Sequence, residues 1–589
     1  MTTLPDVCAY RQGRPWWRDA VVYQVYPRSF ADFDGDGIGD LPGIIDRLDY
    51  LVELGVDAVW VSPFYDSPLN DGGYDVADYR AVDKRLGSLA DVDELIARAH
   101  ERGLRVVMDI VPNHTSSAHA WFQDVLRSGP DSPAWSRYLI REGRGPNHDE
   151  PPNNWRSVFH GRGWSRLVLA DGTVTDYWYL HLFDDTQPDL DWTNDDVRAE
   201  FASVLRFWFD RGVDGFRIDV AHGLVKDPDL PDMDYDSLPE TEILGVTSEA
   251  PYWDQDGVHE VYRQWRAIAD SYDPPRILCG ETWAPSAERL ALYQRPDELH
   301  TSFNFGYLAA GWDAENMRRS IDETIVNHAK VGAPPTWVLS NHDVIRHATR
   351  FAPTPDGTPV TGPTEVDGER GLARARAATL FMLGLPGSAY LYQGEELGLP
   401  EVFDLPDDAR QDPVWHRSGG EYTGRDGCRV PIPWGGSTPS FGFGPNDASW
   451  LPQPAEWARL SVACQEGDEA STLTMYQRAL ARRRSEPALG DGPMRWLENA
   501  PTQVLAMERY VLGYEQHEQH AQHEQHEPRE PTVLVVVNTG AQPVTLPADW
   551  GTDLLLASGP EVVVVSDGSC ESVALGAATA VWLRGPVAT

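Results

Sequence analysis

The chain has 589 residues, of which 41% are hydrophobic, so it is long enough for two or three domains with large buried cores. Its formal net charge of −42 argues against binding to nucleic acid or to anionic membranes, both of which need basic surfaces. The five cysteines are scattered and show no CxxC spacing, which excludes an evident zinc site or disulfide framework and favours a reducing compartment.

The sequence shows no targeting or membrane signal. No basic segment followed by an apolar run opens the chain, and no stretch of eighteen uninterrupted apolar residues occurs. We therefore expect a cytoplasmic protein, a monomer or weak homodimer, with neither a nucleic acid nor a membrane as its partner.

Short β-branched runs alternate with amphipathic helical stretches through the first 490 residues. The pattern predicts helices over 44–54 and near 90–102, and strands over 21–26, 57–61, 104–109, 215–220, 276–281, 302–305, 336–340 and 388–392. Strands separated by helices indicate parallel βαβ crossovers. No glycine-rich dinucleotide turn follows the first strand, so eight such units favour a (β/α)₈ TIM barrel over an open doubly wound sheet.

Two further regions interrupt or follow this alternation. The stretch from His114 to Asp185 is rich in Trp, Asn, Pro and Gly and is too long for a plain loop, which predicts a small inserted domain after the third strand. After about residue 485 only strand patterns occur, which predicts a C-terminal antiparallel β-sandwich. The predicted domains are thus a barrel over 1–113 and 186–490, an insert over 114–185 and an all-β domain over 491–589. Within the last, the low-complexity segment 515–527 is expected to be a disordered hairpin insertion; adventitious metal binding by its His and Glu residues is the alternative.

Three carboxylates end predicted strands that are far apart in the sequence. Asp219 follows Arg217 by two positions, so both side chains share one strand face, and Glu281 and Asp343 end two further segments. A barrel gathers its strand ends on one face, where paired carboxylates can break glycosidic bonds. We expect Arg217 to lower the Asp219 pKa, as a nucleophile requires, and apolar surroundings to raise that of Glu281. The alternative is that these acids are unrelated residues that cap helices or pair with arginines.

Four segments carry a resemblance to glycoside hydrolase family 13, the α-amylase family, within its α-glucosidase and oligo-1,6-glucosidase branch. They read Asp-Ile-Val-Pro-Asn-His over 109–114, Gly-Phe-Arg-Ile-Asp-Val over 215–220, Gly-Glu-Thr-Trp over 280–283 and Ser-Asn-His-Asp over 340–343. Segments 187–191 and 424–429 support the match. The resemblance extends from about residue 21 to residue 434 and, more weakly, through the C-terminal domain.

The resemblance implies a role for each residue at these positions. Asp219 would be the nucleophile that forms a covalent glucosyl intermediate, and Glu281 the acid and then the base. Asp343 would bind the 2- and 3-hydroxyls of the sugar, and Arg217 would orient Asp219. His114 and His342 would donate hydrogen bonds to sugar hydroxyls.

The segment Asp-Gly-Gly-Tyr-Asp over 71–75 resembles a loop of exo-acting members. The resemblance implies that Asp71 and Arg429 grip the glucose at the non-reducing end, with Tyr74 as a stacking platform. Such a charged pair would close the pocket at one end and favour the release of single glucose units. A glycine turn with a solvated aspartate is the alternative.

The glycine-rich segment 32–40 places oxygen ligands at alternate positions, as a hard cation requires. The EF-hand glutamate is missing at the twelfth position, which is Gly43. The resemblance implies a structural Ca²⁺ or Mg²⁺ that braces the loop, with no catalytic cofactor; the alternative is a merely acidic turn. The expected ligands are Asp32, Asp34, Asp36, Asp40 and the carbonyl of Ile38.

Three functional hypotheses compete. The first and preferred one is an exo-acting retaining α-glucosidase on maltose- or isomaltose-type oligosaccharides. Val220, the residue after the nucleophile, resembles the residue at this position in α-1,6-acting members. Residues 221–224, however, depart from the usual continuation in those members. The second is a glucosyl transferase or sugar isomerase, trehalose synthase-like or sucrose-acting, although the Arg-Leu-Asp-Arg-Asp loop of many sucrose isomerases is missing. The third is a non-enzymatic relative like the transporter heavy chains, which carry a membrane anchor and usually lose the catalytic acids.

Overall fold

A closed ring of eight parallel strands forms the centre of the protein in the computed structural model, which describes residues 15–130, 132–235, 250–511, 529–567 and 570–585. The order within the sheet is β6-β5-β4-β3-β2-β1-β8-β7, and the Asn304 amide after β6 donates to the Thr336 carbonyl at 3.0 Å, which closes the ring. The predicted barrel is therefore confirmed. Its strands are β1 (Val21–Val25), β2 (Ala58–Val61), β3 (Arg105–Ile110), β4 (Gly215–Ile218), β5 (Ile277–Gly280), β6 (Thr301–Ser302), β7 (Thr336–Val338) and β8 (Ser388–Tyr392).

The barrel strands are packed on both faces. Every residue of β1 is buried, as expected for a parallel strand with side chains on one face and helices on the other. Val22 packs with Trp60, Val107 and Tyr390 from β2, β3 and β8 in the cluster that fills the barrel. Its neighbour Tyr23 belongs to the second cluster, between the strands and the surrounding helices.

Helices cover the outside of the barrel. In the helix Leu89–Glu101, Ser88 and Asp91 form a capping box, and buried residues at helical spacing give it one apolar face. The helix predicted over 44–54 begins earlier, after an Asp40 N-cap, and is divided at Arg47. The helices outside the insert are Leu41–Asp46, Leu48–Leu54, Leu89–Glu101, Asp195–Asp210, Val258–Asp270, Ala287–Leu292, Phe305–Ala309, Ala314–Val331, His347–Arg350, Gly368–Gly384, Pro413–Arg417, Val462–Gln465 and Thr472–Ser485.

A small domain is inserted after β3, as the sequence predicts. It contains one helix and a three-stranded antiparallel sheet in which the longest strand is central. A separate two-stranded ladder, Tyr65–Asp66 with Asp78–Val82, lies in the loop after β2. The elements of the insert are the helix Ala120–Arg127 and the strands Ile140–Glu142, Trp164–Val168 and Val174–Leu180.

The C-terminal region forms two antiparallel sheets, which confirms the predicted all-β domain. The helix Gly368–Gly384 of the barrel packs directly on it: Trp582 donates to the Leu380 carbonyl at 3.0 Å. Segment 515–527 lies outside the described residues. The larger sheet is formed by Met494–Trp496, Val504–Val511, Arg529–Asn538, Thr579–Arg584 and Leu554–Ala557, and the smaller by Val544–Thr545, Cys570–Leu575 and Val562–Asp567.

The described helices give no indication of a membrane span. Throughout the described ranges, none of them combines the length and the apolar character that a bilayer crossing requires.

Candidate active site

Four carboxylates meet at the carboxyl ends of the barrel strands. Asp219 follows β4 directly, Glu281 follows β5, and Asp343 lies in the loop after β7. Asp109 lies near the end of β3, paired in register with Arg217 on β4. Because parallel strands deliver their carboxyl ends to one face, Asp219, Glu281 and Asp343, which span 124 positions of the sequence, line one cavity.

Arg217 joins three of these carboxylates. Its Nη1 donates to Asp219 Oδ1 at 2.7 Å and to Asp109 Oδ1 at 2.9 Å, and its Nη2 donates to Glu281 Oε2 at 2.5 Å. Arg217 is completely buried, so these charge-assisted bonds form in a region of low dielectric constant. The predicted contact between Arg217 and Asp219 is present, and the same guanidinium also fixes the proposed acid.

The electrostatics of Asp219 differ from the expectation. Burial raises the Asp219 pKa well above its ordinary value; Arg217 opposes this shift, while Glu281, Asp109 and Asp343 add to it. Burial likewise raises the pKa of Asp109 to about 6. Arg217 does lower the Asp219 pKa, as predicted, but burial and the three neighbouring carboxylates outweigh its effect.

The backbone after the nucleophile position is strained and holds Glu281. Val220 has a φ of +46°, a left-handed conformation that is a clear outlier for a β-branched residue. In this conformation its amide donates to Glu281 Oε2 at 3.1 Å. The Trp283 indole donates to the other oxygen, Oε1, at 3.2 Å. Both oxygens of Glu281 are thus oriented by donors from its immediate surroundings.

The arginine that pairs with Asp71 in the cavity wall is Arg425 and not Arg429. Arg425 Nη2 donates to Asp71 Oδ1 at 2.7 Å, its Nη1 to Asp343 Oδ1 at 3.0 Å, and its Nε to Asp412 Oδ2 at 2.6 Å. The expected pairing of Asp71 with Arg429 is therefore corrected. Asp71 and Arg425 line the cavity together with Asp343.

Arg429 supports this wall from behind. It is 3% exposed at its side chain and donates to the His342 carbonyl at 2.9 Å and to Asp343 Oδ1 at 3.0 Å. Arg425 immediately precedes the 3₁₀ turn Asp426–Arg429 and Arg429 is its last residue, so the turn separates the positions of the two side chains. Burial alone would raise the Asp343 pKa, but His342, Arg425 and Arg429 bring it well below its usual range.

The remaining predicted binding residues also line the cavity. Tyr74 stacks on His342 with ring centroids 5.0 Å apart and nearly parallel planes, and its hydroxyl donates to Asp109 at 3.0 Å. His114 Nε2 donates to the Tyr74 carbonyl at 3.2 Å, while its Nδ1 accepts from Asn113 at 3.1 Å. Burial lowers the pKa of His114 to about 4 and that of His342 well below its ordinary value, so both rings are neutral at pH 7.

Residues of the acidic loop 32–40 come together only in part. One oxygen from each of Asp32, Asp34 and Asp40 lies within 4.8 Å of the others, a spacing that a metal ion can bridge. Burial, with nearby acids, raises the pKa of both Asp32 and Asp40. Carboxylate oxygens suit a hard cation, whose charge would relieve this repulsion. Asp36 is instead an exposed residue whose Oδ1 accepts from the Ile38 amide at 2.8 Å.

Sequence reasoning left three residues of this site without a role. Asp109 opens a segment that carries the family resemblance, and its position at the end of a predicted strand was the feature from which its place in the site could have been predicted. Arg425 lies in another such segment, but the sequence offers two arginines there and no basis for choosing between them. Gln187, which donates to Asp71 at 3.1 Å, lies in a supporting segment.

The site faces one cavity of about 2170 Å³. Pockets for small ligands typically measure about 300–1,000 Å³, so this one has room beyond a single sugar. The proposed catalytic acids and the Asp71–Arg425 pair lie in its wall, while Arg217 and Arg429 act from behind it.

Comparisons with known proteins agree with this geometry. The family model described as "Alpha amylase, catalytic domain" matches residues 24–492. A probable alpha-glucosidase of Rhizobium meliloti (strain 1021) is 38% identical over 502 residues, covering 82% of this chain and 85% of the relative. An oligo-1,6-glucosidase of Parageobacillus thermoglucosidasius is 35% identical over 501 residues, covering 80% and 84%.

Solved structures extend the similarity across nearly the whole chain. The α-glucosyl transfer enzyme XgtA is 35% identical with a TM-score of 0.79, covering 97% of this chain and 100% of that one. The trehalulose synthase of Pseudomonas mesoacidophila MX-45 is 29% identical with a TM-score of 0.80, covering 98% and 100%. Hydrolysing and transferring proteins therefore share this architecture.

Proposed function

The chain belongs to the α-amylase family of glycoside hydrolases, and we propose that it is an exo-acting retaining α-glucosidase. Its substrates would be short oligosaccharides with a terminal α-linked glucose, as in maltose or isomaltose. The observation that carries this proposal is the Asp71–Arg425–Asp343 wall beside Asp219 and Glu281. A wall of charged hydrogen-bonding groups at one end of a cavity admits a chain terminus and stops further chain from passing.

The proposed reaction proceeds in two displacements. Asp219 would attack the anomeric carbon while Glu281 gives its proton to the departing glycosidic oxygen. Water, activated by the deprotonated Glu281, would then break the bond between glucose and Asp219. Arg217 supports both steps, because it contacts both carboxylates and fixes their positions relative to each other. Asp343, kept ionised by its arginines, would accept hydrogen bonds from the sugar hydroxyls.

A transferase is the second candidate, and a specific observation favours it. The cavity volume of about 2170 Å³ leaves space for an acceptor sugar beside the glucosyl group. The similarity to XgtA, an α-glucosyl transfer enzyme, supports this candidate. The difference between the two activities is whether water or a sugar attacks the glucosyl-Asp219 intermediate.

The deciding experiment measures glucose release from maltose and from isomaltose at one substrate concentration, with transfer products counted in the same samples. A hydrolase releases two glucose molecules per disaccharide consumed. A transferase releases fewer and accumulates trisaccharides. Faster release from isomaltose would support Val220 as a marker of α-1,6 preference, and faster release from maltose would show that the surrounding loops override it.

We propose a structural cation at the acidic loop 32–40. Asp32, Asp34 and Asp40 would supply its carboxylate oxygens, since their spacing and chemistry fit Ca²⁺ or Mg²⁺. The bound ion would brace the turn that precedes the helix Leu41–Asp46 and would take no part in breaking the glycosidic bond.

We propose a reducing, cytoplasmic location on the basis of thiol chemistry. Cys279, Cys428 and Cys464 are free thiols in the structure. Cys279 and Cys428 are buried, and free cysteines in this number are typical of proteins in reducing compartments.

A further inference from the structure

A buried carboxylate that the proposed reaction does not use lies just beyond Asp71 in the sequence. Asp75 has no exposed surface. Its carboxylate accepts hydrogen bonds from the Ser67 hydroxyl at 2.9 Å, the Asn70 amide at 3.0 Å and the Asp71 amide at 3.1 Å. All three donors are neutral groups of one loop, residues 67–71, which therefore folds around the Asp75 carboxylate.

The backbone of this loop is strained. Leu69 has a φ of +64°, in the left-handed region that bulky residues rarely adopt. Its amide donates to Ser67 Oγ at 2.9 Å, and the same hydroxyl donates to Asp75. A strained conformation persists only where surrounding contacts hold it in place. The Asp75 carboxylate supplies such contacts and anchors the loop.

The anchored loop carries one wall of the cavity. Asp71 lines the cavity, whereas Ser67, Asn70 and Asp75 lie behind it. The Asp71 side chain accepts from Arg425 at 2.7 Å through Oδ1 and from Gln187 at 3.1 Å through Oδ2. Its backbone amide is held by Asp75. Asp71 is thus fixed at both its main chain and its side chain.

The negative charge of Asp75 needs an explanation beyond chain reversal. Burial raises the pKa of Asp75 to about 6 against the effect of its three donors, and the charge of Asp71 adds to the rise, so the group is still ionised at pH 7. A carboxylate only accepts hydrogen bonds, which lets three donors converge on it. A turn that merely reverses the chain has no need of a buried charge beside Asp71, whereas a turn that must place Asp71 accurately has.

We propose that Asp75 is a positioning residue for the sugar-binding wall. By binding residues 67–71, it holds Asp71 at hydrogen-bond distance from Arg425 and in place for the terminal glucose. Asp75 itself does not touch the sugar. The choice of glucose as the ligand rests on the proposed glucosidase function, whereas the placement of Asp71 does not.

The test measures the Kd of glucose by isothermal titration calorimetry in variants of the anchor. Asp75→Asn keeps the shape of the side chain but replaces one acceptor with a donor that faces other donors. It should raise the Kd about tenfold, which corresponds to about 1.4 kcal/mol. Ser67→Ala, which removes one of the three donors, should raise the Kd about threefold, and Ser67→Thr, which keeps the hydroxyl, should recover most of this loss.

Two comparisons separate positioning from general damage to the fold. In an Asp71→Ala background, Asp75→Asn should change the Kd by less than about twofold, because the loop no longer carries a carboxylate to place. Asp214 is a buried aspartate outside the cavity wall that accepts from the Val106 amide at 2.8 Å. Asp214→Asn should lower the melting temperature and leave the Kd of glucose unchanged.

A crystal structure of Asp75→Asn gives a result that needs no ligand. The 2.7 Å contact between Asp71 and Arg425 should be broken, and an intact contact overturns the inference. A Kd within twofold of wild type, or an equal rise with and without Asp71, also overturns it. Ser67→Ala provides the same readouts if Asp75→Asn does not fold. Wild-type protein that fails to bind glucose would instead contradict the proposed function, and the contact in the variant structure would still decide the role of Asp75.

Discussion

Replacing Arg425 with glutamine should remove most of the affinity for glucose at the closed end of the cavity. Arg425 contacts three carboxylates at 2.6–3.0 Å, and two of them, Asp71 and Asp343, are the groups proposed to hold the terminal sugar. Without the guanidinium these carboxylates repel each other. Asp343 also loses one of the charges that hold its pKa low, so its protonated fraction rises and it accepts hydrogen bonds less well.

The magnitude follows from the bonds at stake. A hydrogen bond to a charged group contributes roughly 1.5–3 kcal/mol, and one sugar contact at each of Asp71 and Asp343 depends on Arg425. At the lower value, two contacts amount to about 3 kcal/mol, which corresponds to about a hundredfold rise in the Ki of glucose. Arg429→Gln should cost less affinity, because Arg429 lies behind the wall and Arg425 would still pair with Asp343.

Product inhibition by glucose is the appropriate assay, because it reports binding at the closed end without the chemical step. Arg410→Gln is a matched control: Arg410 lies in the same loop but donates only to the Thr423 and Phe403 carbonyls in the described structure. It should lower stability and leave the Ki of glucose unchanged. A Ki within threefold of wild type in folded Arg425→Gln, or a larger effect in Arg429→Gln, would refute the reasoning.

Three further predictions concern the nucleophile, the effect of acid and the cation. Asp219→Asn should reduce kcat below about a hundredth of wild type while the melting temperature stays close to wild type, because it removes the nucleophile and keeps the side-chain shape; residual activity above that level would point to another nucleophile. Burial lowers the pKa of His328 to about 4, against about 6.5 in the unfolded chain, so the unfolded state binds more protons between these values and stability falls as pH drops below 6.5. Urea unfolding at pH 7 and pH 5 should show that wild type loses about 2 kcal/mol more than His328→Gln, and equal losses would contradict this assignment. Chelation with EDTA should lower the melting temperature of wild type and not of Asp34→Asn, with kcat of the folded enzyme at 25 °C unchanged; identical responses of the two proteins would exclude the proposed cation site.

The sequence was sufficient for the barrel because its strands are short apolar runs with helices between them. All eight predicted runs correspond to strands, although four of the strands end one or two residues sooner than predicted. Helix boundaries were harder to predict: the helix expected over 44–54 is divided at Arg47, where the backbone leaves the helical region. The periodicity of apolar residues continues across Arg47, so this periodicity does not predict the division of the helix.

The site was predictable where strand geometry determines contacts. Arg217 and Asp219 share a strand face, and this alternation alone predicts the 2.7 Å contact between them. The exchange of Arg429 for Arg425 was not predictable, because it depends on how a 3₁₀ turn orients two arginines of the same segment. The net rise of the Asp219 pKa was also missed, since it depends first on burial and then on Glu281 and Asp109, which only folding brings close to Asp219.

The anomeric form of the first glucose released tests the central claim most directly. Proton NMR during the first minutes of α-glucosyl fluoride hydrolysis, in which the leaving group is fluoride ion and all glucose comes from the glucosyl group, distinguishes the two anomers before they interconvert. Two displacements through glucosyl-Asp219 predict that α-glucose forms first and that the β-anomer appears only by later mutarotation. Initial formation of β-glucose would mean a single displacement by water and would contradict the role assigned to Asp219.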